Sequence, residues 1–496
     1  MNNSEIKDHE IRVRFAPSPT GTIHVGNLRT ALFAWLFARN QRGSFLVRVE
    51  DTDQKRLDPE ATQKIFETLE WAKIDVDEGV YLNKNSKITQ KGEYGPYIQS
   101  ERLALYKKYI KKLINSGDAY YCFCSSERLK KVREKQQAEN QPPMYDGKCR
   151  NLSSKEIKKR IESGEGYVIR MKVPENQTVK FTDKVFGDIS VETNTIDDQV
   201  LIKTDGFPTY HFAVVVDDHL MKISHIFRGE DWLPSTPKHI LLYKFFGWKL
   251  PKFVHLPNVL GENKKKLSKR EGDVSVEDFK EKGYLPEALI NFLALLGWNP
   301  KSNQELMTKN ELIEKFSIAG LHKAGAIFNY QKLDWVNGQY LKNKSNAEIL
   351  EESEIYLNNY FEENKIEKDL EKIDKIITVE KTRIKKLSDL TENFDVYFKD
   401  IDYKVDLLKW KNMTPKELKK ALELVLEIIS KSELSSPEVF QKIVLEKIGK
   451  ARGEHLWPLR VALSGQEKSA SPFELAWVLG REASLKRIKK AIEKIN

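Results

Sequence analysis

Residues 11–49 read IRVRFAPSPTGTIHVGNLRTALFAWLFARNQRGSFLVRV, and this stretch decides the fold. Its two ends, residues 11–15 and 44–49, are short apolar runs that predict β-strands. Between them, from Gly26 onward, apolar residues recur every three or four positions, which predicts a helix. A second helix is predicted to begin after Asp58, a good capping residue. Strand, helix, strand and helix in this order predict a parallel α/β sheet.

Farther along the chain, the α/β pattern is interrupted and later gives way to helices. Residues 76–190 contain a helix, a cysteine-containing stretch and several short strands, which indicates an insertion within the sheet-forming core. Alternating strands are predicted again over 198–228, followed by a helix at about 235–246. From about residue 275 to the end, stretches rich in leucine, isoleucine, lysine and glutamate predict an all-helical half.

The composition excludes several classes of protein. With 496 residues, 40% of them hydrophobic, the chain can build sizeable cores and is not globally disordered. Lysine plus arginine (83) minus aspartate plus glutamate (73) gives +10, which favours a polyanionic partner, although a solvated lysine-rich surface gives the same sum. Three cysteines exclude a disulfide scaffold and suit a reducing cytosol. The N-terminus lacks the apolar core of a signal peptide, and the longest apolar run is shorter than the roughly 20 residues of a membrane span. We therefore expect a cytoplasmic protein without a membrane segment.

The first motif that carries chemistry is the sequence HVGN at the start of the first predicted helix, with His24, Gly26 and Asn27. Free N–H groups and the positive end of the helix dipole make such a turn a natural phosphate site. Gly26 would let a base or phosphate approach the backbone, and His24 could donate to a phosphoryl oxygen. An ordinary turn with a chance histidine is the alternative for this motif alone.

The second motif is the basic stretch KKKLSKR at residues 264–270, flanked by Gly261 and Gly272. A loop that carries several cations could close over a triphosphate and neutralise a departing diphosphate. A solvated basic loop, or a loop that contacts nucleic acid, would have the same composition.

Taken together, the two motifs resemble the paired signature of class I aminoacyl-tRNA synthetases. The likeness extends to RFAPSPTGTIHVGNLRTALFAWLFARNQRGSFLVRVEDTD, GPYIQSERLALY, DGFPTYHFAVVVDDHLMKISHIFRGEDWLPSTPKH and KKLSKREG. These segments resemble the bacterial glutamyl-tRNA synthetases closely and in the same order. The resemblance is specific over residues 10–340 and weaker beyond them.

The resemblance implies an α/β Rossmann-like class I catalytic core, an inserted α+β acceptor-binding subdomain and an all-α C-terminal half. The implied division is 1–80 and 196–254 for the two halves of the core, 81–195 for the inserted connective subdomain, 255–335 for a stem-contact region with the KLSKR loop, and 336–496 for a helical anticodon-binding region. Basic clusters in the last region could follow RNA phosphates or could be solvated helix faces.

The implied activity is ATP-dependent ligation of L-glutamate to tRNA(Glu) through glutamyl-adenylate, with release of AMP and diphosphate and with Mg²⁺ bridging the phosphates. The positions that match the family's catalytic and ATP-binding residues are His24, Gly26, Asn27, Lys266, Ser268, Lys269 and Arg270. Those that match its glutamate pocket are Arg14, Ala16, Ser18, Glu50, Tyr210, Arg228 and Trp232.

The residue types of this pocket agree with a dicarboxylic amino acid. Arg14 and Arg228 offer planar forks to carboxylates, whereas Glu50 suits an ammonium group. We assign Arg228 to the side-chain carboxylate, because a neutral amide would leave a buried arginine unpaired, and glutamine is thereby rejected. A structural ion pair is the alternative for each of these residues.

The cysteines form a third motif. Cys122, Cys124 and Cys149 all lie in the insertion, and three thiolates suit Zn²⁺ but need a fourth ligand. Asn151 stands where some family members have a histidine ligand, whereas Tyr145 with Cys149 resembles the related glutamyl-queuosine enzymes, whose zinc takes a tyrosine. The resemblance therefore implies a structural Zn²⁺ at Cys122, Cys124, Tyr145 and Cys149. Three reduced cysteines without a metal are the alternative.

Two other functions share parts of these motifs. A glutamyl-queuosine tRNA(Asp) synthetase has the catalytic half and the cysteine pattern but lacks a helical half, so residues 336–496 argue against it. A retired synthetase-like RNA-binding protein would have lost the ATP motifs or the substrate arginine. The expected partners are tRNA(Glu) and L-glutamate, and the expected state is a monomer. Whether tRNA(Gln) is charged as well stays open.

Overall fold

The computed structural model describes residues 10–53, 56, 58–268 and 272–495. The chain packs as two compact units. The first consists of Met1–Phe279 and Leu289–Asn329, and the second of Lys280–Ala288 and Tyr330–Asn496. The finer five-part division made from the sequence stays a prediction.

The strands found in the described residues are β1 (Arg12–Phe15), β2 (Ser44–Val47), β3 (Glu78–Leu82), β4 (Ile88–Lys91), β5 (Ala119–Cys122), β6 (Val168–Met171), β7 (Thr178–Asp183), β8 (Gly187–Glu192), β9 (Val200–Ile202), β10 (His225–Gly229), β11 (Lys252–Leu256), β12 (Val259–Leu260) and β13 (Ala326–Ile327). Over the same residues they form a sheet of eight strands in the order β4-β3-β2-β1-β10-β11-β7-β8, a sheet of three (β5-β6-β9) and the pair β12-β13. The large sheet is parallel except at its two ends, where β3–β4 and β7–β8 are antiparallel.

The helices up to residue 315 are α1 (Val25–Asn40), α2 (Pro59–Trp71), α3 (Leu103–Ser116), α4 (Ser126–Ala138), α5 (Ser154–Glu162), α6 (Tyr210–Leu220), α7 (Thr236–Phe246), α8 (Val276–Glu281), α9 (Pro286–Leu295) and α10 (Lys309–Lys315). The later helices are α11 (Tyr330–Asn343), α12 (Asn346–Glu352), α13 (Glu354–Asn364), α14 (Leu370–Glu380), α15 (Asp389–Glu392), α16 (Phe394–Phe398), α17 (Pro415–Lys431), α18 (Pro437–Ile448), α19 (Arg452–Ser464) and α20 (Pro472–Ile495). Short 3₁₀ turns occupy Gln99–Arg102, Thr193–Thr195, Glu230–Ser235, Ile318–Gly320 and Val405–Leu408.

The centre of the large sheet is a topological switch point. Strands β1 and β10 are parallel neighbours. From β1 the chain runs through α1 to β2 on one side, and from β10 it runs through α7 to β11 on the other. The strand order therefore reverses between β1 and β10, and a crevice opens at their carboxyl ends, where open α/β sheets bind ligands.

The predicted opening elements are confirmed. Helix α1 follows β1, and α2 begins after Asp58, whose side chain accepts a hydrogen bond from the backbone N of Glu60 at 3.0 Å. The predicted helix near 235–246 is α7. The α/β fold class and the helical C-terminal half are also confirmed.

The prediction of alternating strands over 198–228 is wrong in its middle. Between β9 and β10 the chain forms the helix α6, in which every residue from Phe212 to Asp218 is buried. A segment buried on all sides has no polar face, so its valine run carries no periodic signal, and tertiary packing overrides the β-propensity of valine. Strands also do not end at 275, because β13 pairs with β12.

The second unit is helical throughout its described residues, apart from loops. Helix α17 begins with a capping box in which Thr414 and Glu417 bond reciprocally, and it buries Leu418, Leu422 and Val425. Helix α20 is interrupted at Gly480, where φ is 76° and ψ is 171°. In the part of the chain that the structure describes, no helix combines the length and the apolar character that a membrane crossing requires.

Candidate active site

A cavity of about 590 Å³ lies at the carboxyl ends of the central strands. Its walls come from the segment after β1, from the turn after β2, and from the start of α6 and the end of β10. The predicted residues that line it are Arg14, Ala16, Ser18, Asn27, Glu50, Tyr210, Arg228 and Trp232. The fold thus brings the whole predicted glutamate pocket into one cavity.

Arg228 lies at the back of this cavity and is 5% exposed. Its Nε donates to Nε2 of His255 at 2.9 Å, Nη1 to Nδ1 of His239 at 3.1 Å, and Nη2 to Oγ1 of Thr236 at 2.8 Å. Burial is the main reason that the pKa of each histidine is lowered, and for His239 the charge of Arg228 is the second. Both imidazoles are therefore neutral acceptors. These three hydrogen bonds therefore hold the guanidinium without neutralising it.

Two aromatic side chains line the same cavity as Arg228. The rings of Tyr210 and Trp232 lie 4.1 Å apart at 34°. Burial is the main reason that the pKa of Tyr210 is raised, so the phenol is neutral. An apolar wall beside an uncompensated cation strengthens the attraction of that cation for a carboxylate.

Arg14 is in a different electrostatic state. Its Nε and Nη2 donate to the two carboxylate oxygens of Asp218 at 3.0 and 3.2 Å, and Nη1 donates to the carbonyl oxygen of Phe227 at 3.2 Å. Both charged side chains are almost fully buried. Burial alone would raise the pKa of Asp218, but Arg14 and Arg48 outweigh it and lower the pKa.

Arg48 connects Asp218 with Glu50. Its Nη1 donates to Asp218 and its Nη2 to Oε1 of Glu50, both at 2.8 Å, and the side chain is fully buried. Burial raises the pKa of Glu50, while Arg48 and Arg14 act in the opposite direction. Glu50 is therefore held in place by an internal cation at the wall of the cavity.

A second carboxylate extends this network away from the cavity. Asp217 accepts hydrogen bonds from Nε of Arg102 at 2.7 Å, from Gln99 at 2.8 Å and from the hydroxyl of Tyr106 at 2.8 Å. Burial, followed by the charge of Asp217, raises the pKa of Tyr106 far above its ordinary range. The network anchors α6 to the segment around Arg102.

Sequence reasoning missed the members of this network and those behind Arg228. Among them are Arg48, Asp217, Asp218, His239, His255 and Asp183. A signal existed for the first three: Arg48 and Glu50 are two positions apart after a strand, and two aspartates end an otherwise apolar run. No sequence pattern marked the other three.

The HVGN turn is built as the N-cap of α1. Nδ1 of His24 accepts a hydrogen bond from the backbone N of Gly26 at 3.0 Å, so the neutral ring carries its proton on Nε2. A Cβ on Gly26 would lie 3.2 Å from that Nδ1, so a larger residue would crowd the ring. Gly26, predicted to make room for a ligand, thus has this additional local role in the cap.

The segment that follows the basic loop runs beside this turn. Val25 N donates to Val274 O at 2.8 Å, and Val276 N donates to Ile23 O at 2.9 Å. Within the basic stretch, Leu267 N donates to Val259 O at 2.9 Å and closes a hairpin. The fold thus joins the HVGN turn, through backbone hydrogen bonds, to the segment that follows the basic motif.

The predicted residues of the basic loop have different outcomes. Lys266 forms an ion pair with Asp231, which is next to Trp232 in the chain, and Ser268 is exposed. Lys269 and Arg270 lie outside the described residues. His24, Gly26, Lys266 and Ser268 belong to the described residues but are not among those that line the cavity.

The three cysteines converge in the insertion. Their Sγ atoms lie within 4.8 Å of one another, and those of Cys124 and Cys149 are 3.6 Å apart. The hydroxyl of Tyr145 is 3.4 Å from the Sγ atoms of Cys122 and Cys124, and it accepts a hydrogen bond from Cys149 N at 2.9 Å. A tetrahedral Zn²⁺ with Zn–S bonds near 2.3 Å places its sulfur ligands about 3.8 Å apart. The four predicted side chains are therefore close enough to share one ion.

Two arginines add positive charge to this cluster. The guanidinium of Arg170 lies 4.0 Å from the centre of the Tyr145 ring, and Nη1 of Arg128 donates to Cys124 Sγ at 3.4 Å. Burial alone would raise the pKa of the Cys122 thiol, but hydrogen bonds, those from Tyr145 first among them, outweigh it and lower the pKa. Burial, together with the neighbouring Cys149 and Cys122, raises the pKa of Cys124 to about 11, so these surroundings favour the thiolate, the form that binds metal, at Cys122 but not at Cys124.

Comparison with known proteins gives matches along nearly the whole chain. Residues 10–335 match the family described as tRNA synthetases class I (E and Q), catalytic domain, and residues 348–492 match an anticodon binding domain. Glutamate–tRNA ligase of Clostridioides difficile is 47% identical over 484 residues, which cover 96% of this chain and 98% of that protein. Glutamate–tRNA ligase of Finegoldia magna is 46% identical, with 98% and 100% covered. A crystal structure of a glutamate tRNA ligase from Elizabethkingia meningosepticum, in complex with its amino acid, matches with a TM-score of 0.87 at 37% identity, over 98% of this chain and 100% of that chain.

Proposed function

The chain belongs to the glutamate–tRNA ligase family of class I aminoacyl-tRNA synthetases, and from this premise we propose that it joins L-glutamate to tRNA(Glu) with ATP, releasing AMP and diphosphate. Membership confirms the resemblance stated from the sequence. The observation that carries the proposal for this cavity is Arg228, a buried cation held by neutral partners and open to one ligand carboxylate.

In this proposal the substrate glutamate is held at both ends. Its side-chain carboxylate pairs with Arg228, while Glu50 takes the α-ammonium group. Ser18 and the remaining N–H groups of Arg14 face the α-carboxylate. Tyr210 and Trp232 pack on the methylene groups between the two ends and keep water from them.

The first chemical step is an in-line displacement. An oxygen of the substrate α-carboxylate attacks the α-phosphorus of ATP, the bond from that phosphorus to the β-phosphate bridge breaks, and diphosphate leaves. His24, through its Nε2 proton, and the N-terminus of α1 with Asn27 stabilise the charge that develops on the phosphates. Lys266, Ser268, Lys269 and Arg270 would supply positive charge and a hydroxyl to the departing diphosphate. ATP brings Mg²⁺ on its phosphates, and the ion neutralises part of their charge.

The second step transfers the glutamyl group to RNA. The 2′-hydroxyl of the terminal adenosine attacks the acyl carbon of the adenylate, loses its proton, and displaces AMP. Arg228 and Glu50 hold the amino acid in place during both steps, so one binding geometry serves activation and transfer.

We also propose that Cys122, Cys124, Tyr145 and Cys149 hold a structural Zn²⁺. Support comes from the short distances among the four groups and from the lowered pKa of the Cys122 thiol. When bound, the ion would cross-link β5 to the segment around Tyr145 and Cys149, and it would take no part in the chemistry.

The remaining assignments are proposals of the same kind. We propose a cytoplasmic monomer whose residues 336–496 bind the anticodon of tRNA(Glu). The match of residues 348–492 to an anticodon binding domain supports this and speaks against a short enzyme of glutamyl-queuosine type. The presence of Arg228 and of the HVGN and KLSKR motifs speaks against a retired synthetase.

The direct test is glutamylation of purified tRNA(Glu) and, separately, tRNA(Gln), with ATP and radiolabelled glutamate. We expect tRNA(Glu) to be charged. Charging of tRNA(Glu) alone would show a discriminating synthetase, and charging of both would mean that glutaminyl-tRNA is made indirectly, by amidation. Charging of neither would refute the proposed function.

A further inference from the structure

Three neighbouring strands contribute one polar side chain each to a row behind the cavity. Arg228 on β10 is the direct register partner of His255 on β11. Next to β11 runs β7, which ends at Asp183. His255 Nδ1 and Asp183 Oδ2 are 2.7 Å apart, and both side chains are fully buried. The row therefore crosses the sheet at the carboxyl ends of its strands and reaches the cavity at Arg228.

The hydrogen bonds in this row have a fixed direction. Arg228 Nε can only donate, so His255 Nε2 accepts, and the imidazole proton must be on Nδ1, from which it is donated to Asp183. Asp183 itself is held by the backbone N–H groups of Val185 and Phe186, each at 2.9 Å. The side chains of Asp183 and His255 thus each have one orientation, and they impose one on the guanidinium.

The row orients the guanidinium of Arg228 without neutralising its charge. Arg14 shows the effect of a carboxylate in direct contact, because both oxygens of Asp218 accept hydrogen bonds from its Nε and Nη2. Behind Arg228 the carboxylate of Asp183 is one imidazole farther away, and the contacting atom is the neutral Nε2. A carboxylate in direct contact would compete with the substrate for the same N–H groups, whereas the neutral ring leaves the cation attractive to a ligand.

We propose that His255, oriented by Asp183, is a positioning residue that holds Arg228 for the side-chain carboxylate of the amino acid and so contributes to specificity for glutamate. The inference rests on the proposed function, in which Arg228 contacts that carboxylate. The competing explanation is that the buried imidazole serves packing only.

Two amide substitutions of His255 separate these explanations. In His255→Gln the amide oxygen can take the place of Nε2 and accept from Arg228. In His255→Asn the shorter amide can replace Nδ1 toward Asp183 but does not reach Arg228. Both remove the ring and keep a polar amide, and because Asn is one methylene shorter than Gln, the melting temperatures of the two variants report any difference in packing. His225→Leu is the matched control, since His225 is a buried histidine on β10 that bonds Ser224 and not Arg228.

The measurement is kcat and KM for glutamate, ATP and tRNA(Glu) in aminoacylation, with thermal melting to verify the fold. We expect His255→Asn to raise KM for glutamate about tenfold or more, the range for a lost buried hydrogen bond, and to leave KM for ATP and tRNA within about twofold. We expect His255→Gln to remain within about threefold of the parent in all three. Equal effects of the two amides, or of His225→Leu on KM for glutamate, would overturn the proposal.

Arg228→Ala, measured alongside, distinguishes this failure from failure of the proposed function. If Arg228→Ala charges glutamate normally, the assignment of Arg228 to the substrate carboxylate is wrong, and with it the proposed function of the row formed by Arg228, His255 and Asp183. If Arg228→Ala loses charging while His255→Asn is normal, only the positioning role is refuted.

Discussion

Arg14 and Asp218 form a two-pronged ion pair, 3.0 and 3.2 Å long, between residues 204 positions apart in the chain. Among the described residues, the side-chain hydrogen-bond acceptors of Arg228, in the same cavity, are the neutral groups of His255, His239 and Thr236. Of the two arginines, one is therefore already compensated and the other is not. This difference decides which of them a substrate carboxylate can bind most strongly, and it leads to the first prediction.

Arg228→Ala is expected to lower kcat/KM for glutamate by on the order of a hundredfold or more, because a buried charge contact is lost. The chain should still fold and bind tRNA(Glu), which a filter-binding assay measures. Arg39→Ala is a suitable control, since Arg39 pairs with Asp77 near the surface. Unchanged glutamate kinetics in Arg228→Ala would refute the assignment of Arg228 to the side-chain carboxylate of glutamate.

Lys269→Ala is expected to slow formation of the adenylate far more than it weakens tRNA binding, because its ammonium group faces the departing diphosphate in the proposed mechanism. Single-turnover kinetics measures the first quantity, and tRNA affinity measures the second. Equal losses in both would instead identify the basic loop as an RNA contact.

Arg48→Met is expected to destabilise the chain by about 3 kcal/mol or more, because Glu50 and Asp218 would both lose a buried counter-charge. Arg39→Met, which removes a partly exposed pair, should cost about 1 kcal/mol or less. Urea unfolding of both variants measures the difference. Similar losses of stability in Arg48→Met and Arg39→Met would show that the buried network stabilises the chain no more than the partly exposed pair does.

Stability is expected to fall in mild acid because of His225. Burial first, then Lys252 and Lys184, lowers the pKa of this histidine to about 4. In the unfolded chain the pKa is near 6.5, so the unfolded state binds the proton more readily between these values. The contribution of His225 to the free energy of unfolding is therefore complete above about pH 6.5 and is lost as the pH falls toward 4. The loss is about 2 kcal/mol at pH 5.

Urea unfolding at pH 7 and pH 5 checks this dependence. The loss on acidification should be about 2 kcal/mol smaller in His225→Gln than in the parent chain. An exposed histidine, His322, changed to glutamine provides the comparison. If the His225 and His322 variants lose the same free energy of unfolding between pH 7 and pH 5, burial of His225 is not the cause of the acid sensitivity.

Elemental analysis of protein purified without chelators is expected to find about one equivalent of zinc, the stoichiometry of one closed four-ligand site. Cys149→Ser should lose it, and Tyr145→Phe should bind it more weakly. Tyr167→Phe, which alters a neighbouring ring outside the cluster, should keep it. Less than a tenth of an equivalent in the parent chain would refute the zinc proposal.

Much of the fold could be predicted because its signals are local. The strand–helix–strand order of residues 11–49 and the cap at Asp58 depend on neighbours a few positions apart, and both are confirmed. Helix α6 was mistaken for strands because burial on every side removes the periodicity on which such a prediction depends. The predicted pocket residues are also found together, since the motifs that carry them stand at the ends of parallel strands.

The sequence by itself determined the α/β core, the helical second half, the family, and the residue types of the pocket and the cysteine cluster. Only the tertiary structure decided the electrostatic state of each charged group. Asp218 is 204 positions from Arg14 and 170 from Arg48, and His255 is 27 positions from Arg228. These groups meet because the fold makes β1, β10, β11 and β7 consecutive strands of one sheet. An arginine has the same side chain in every sequence, but whether it is neutralised or free to bind depends on which atoms the fold places within about 3 Å of it.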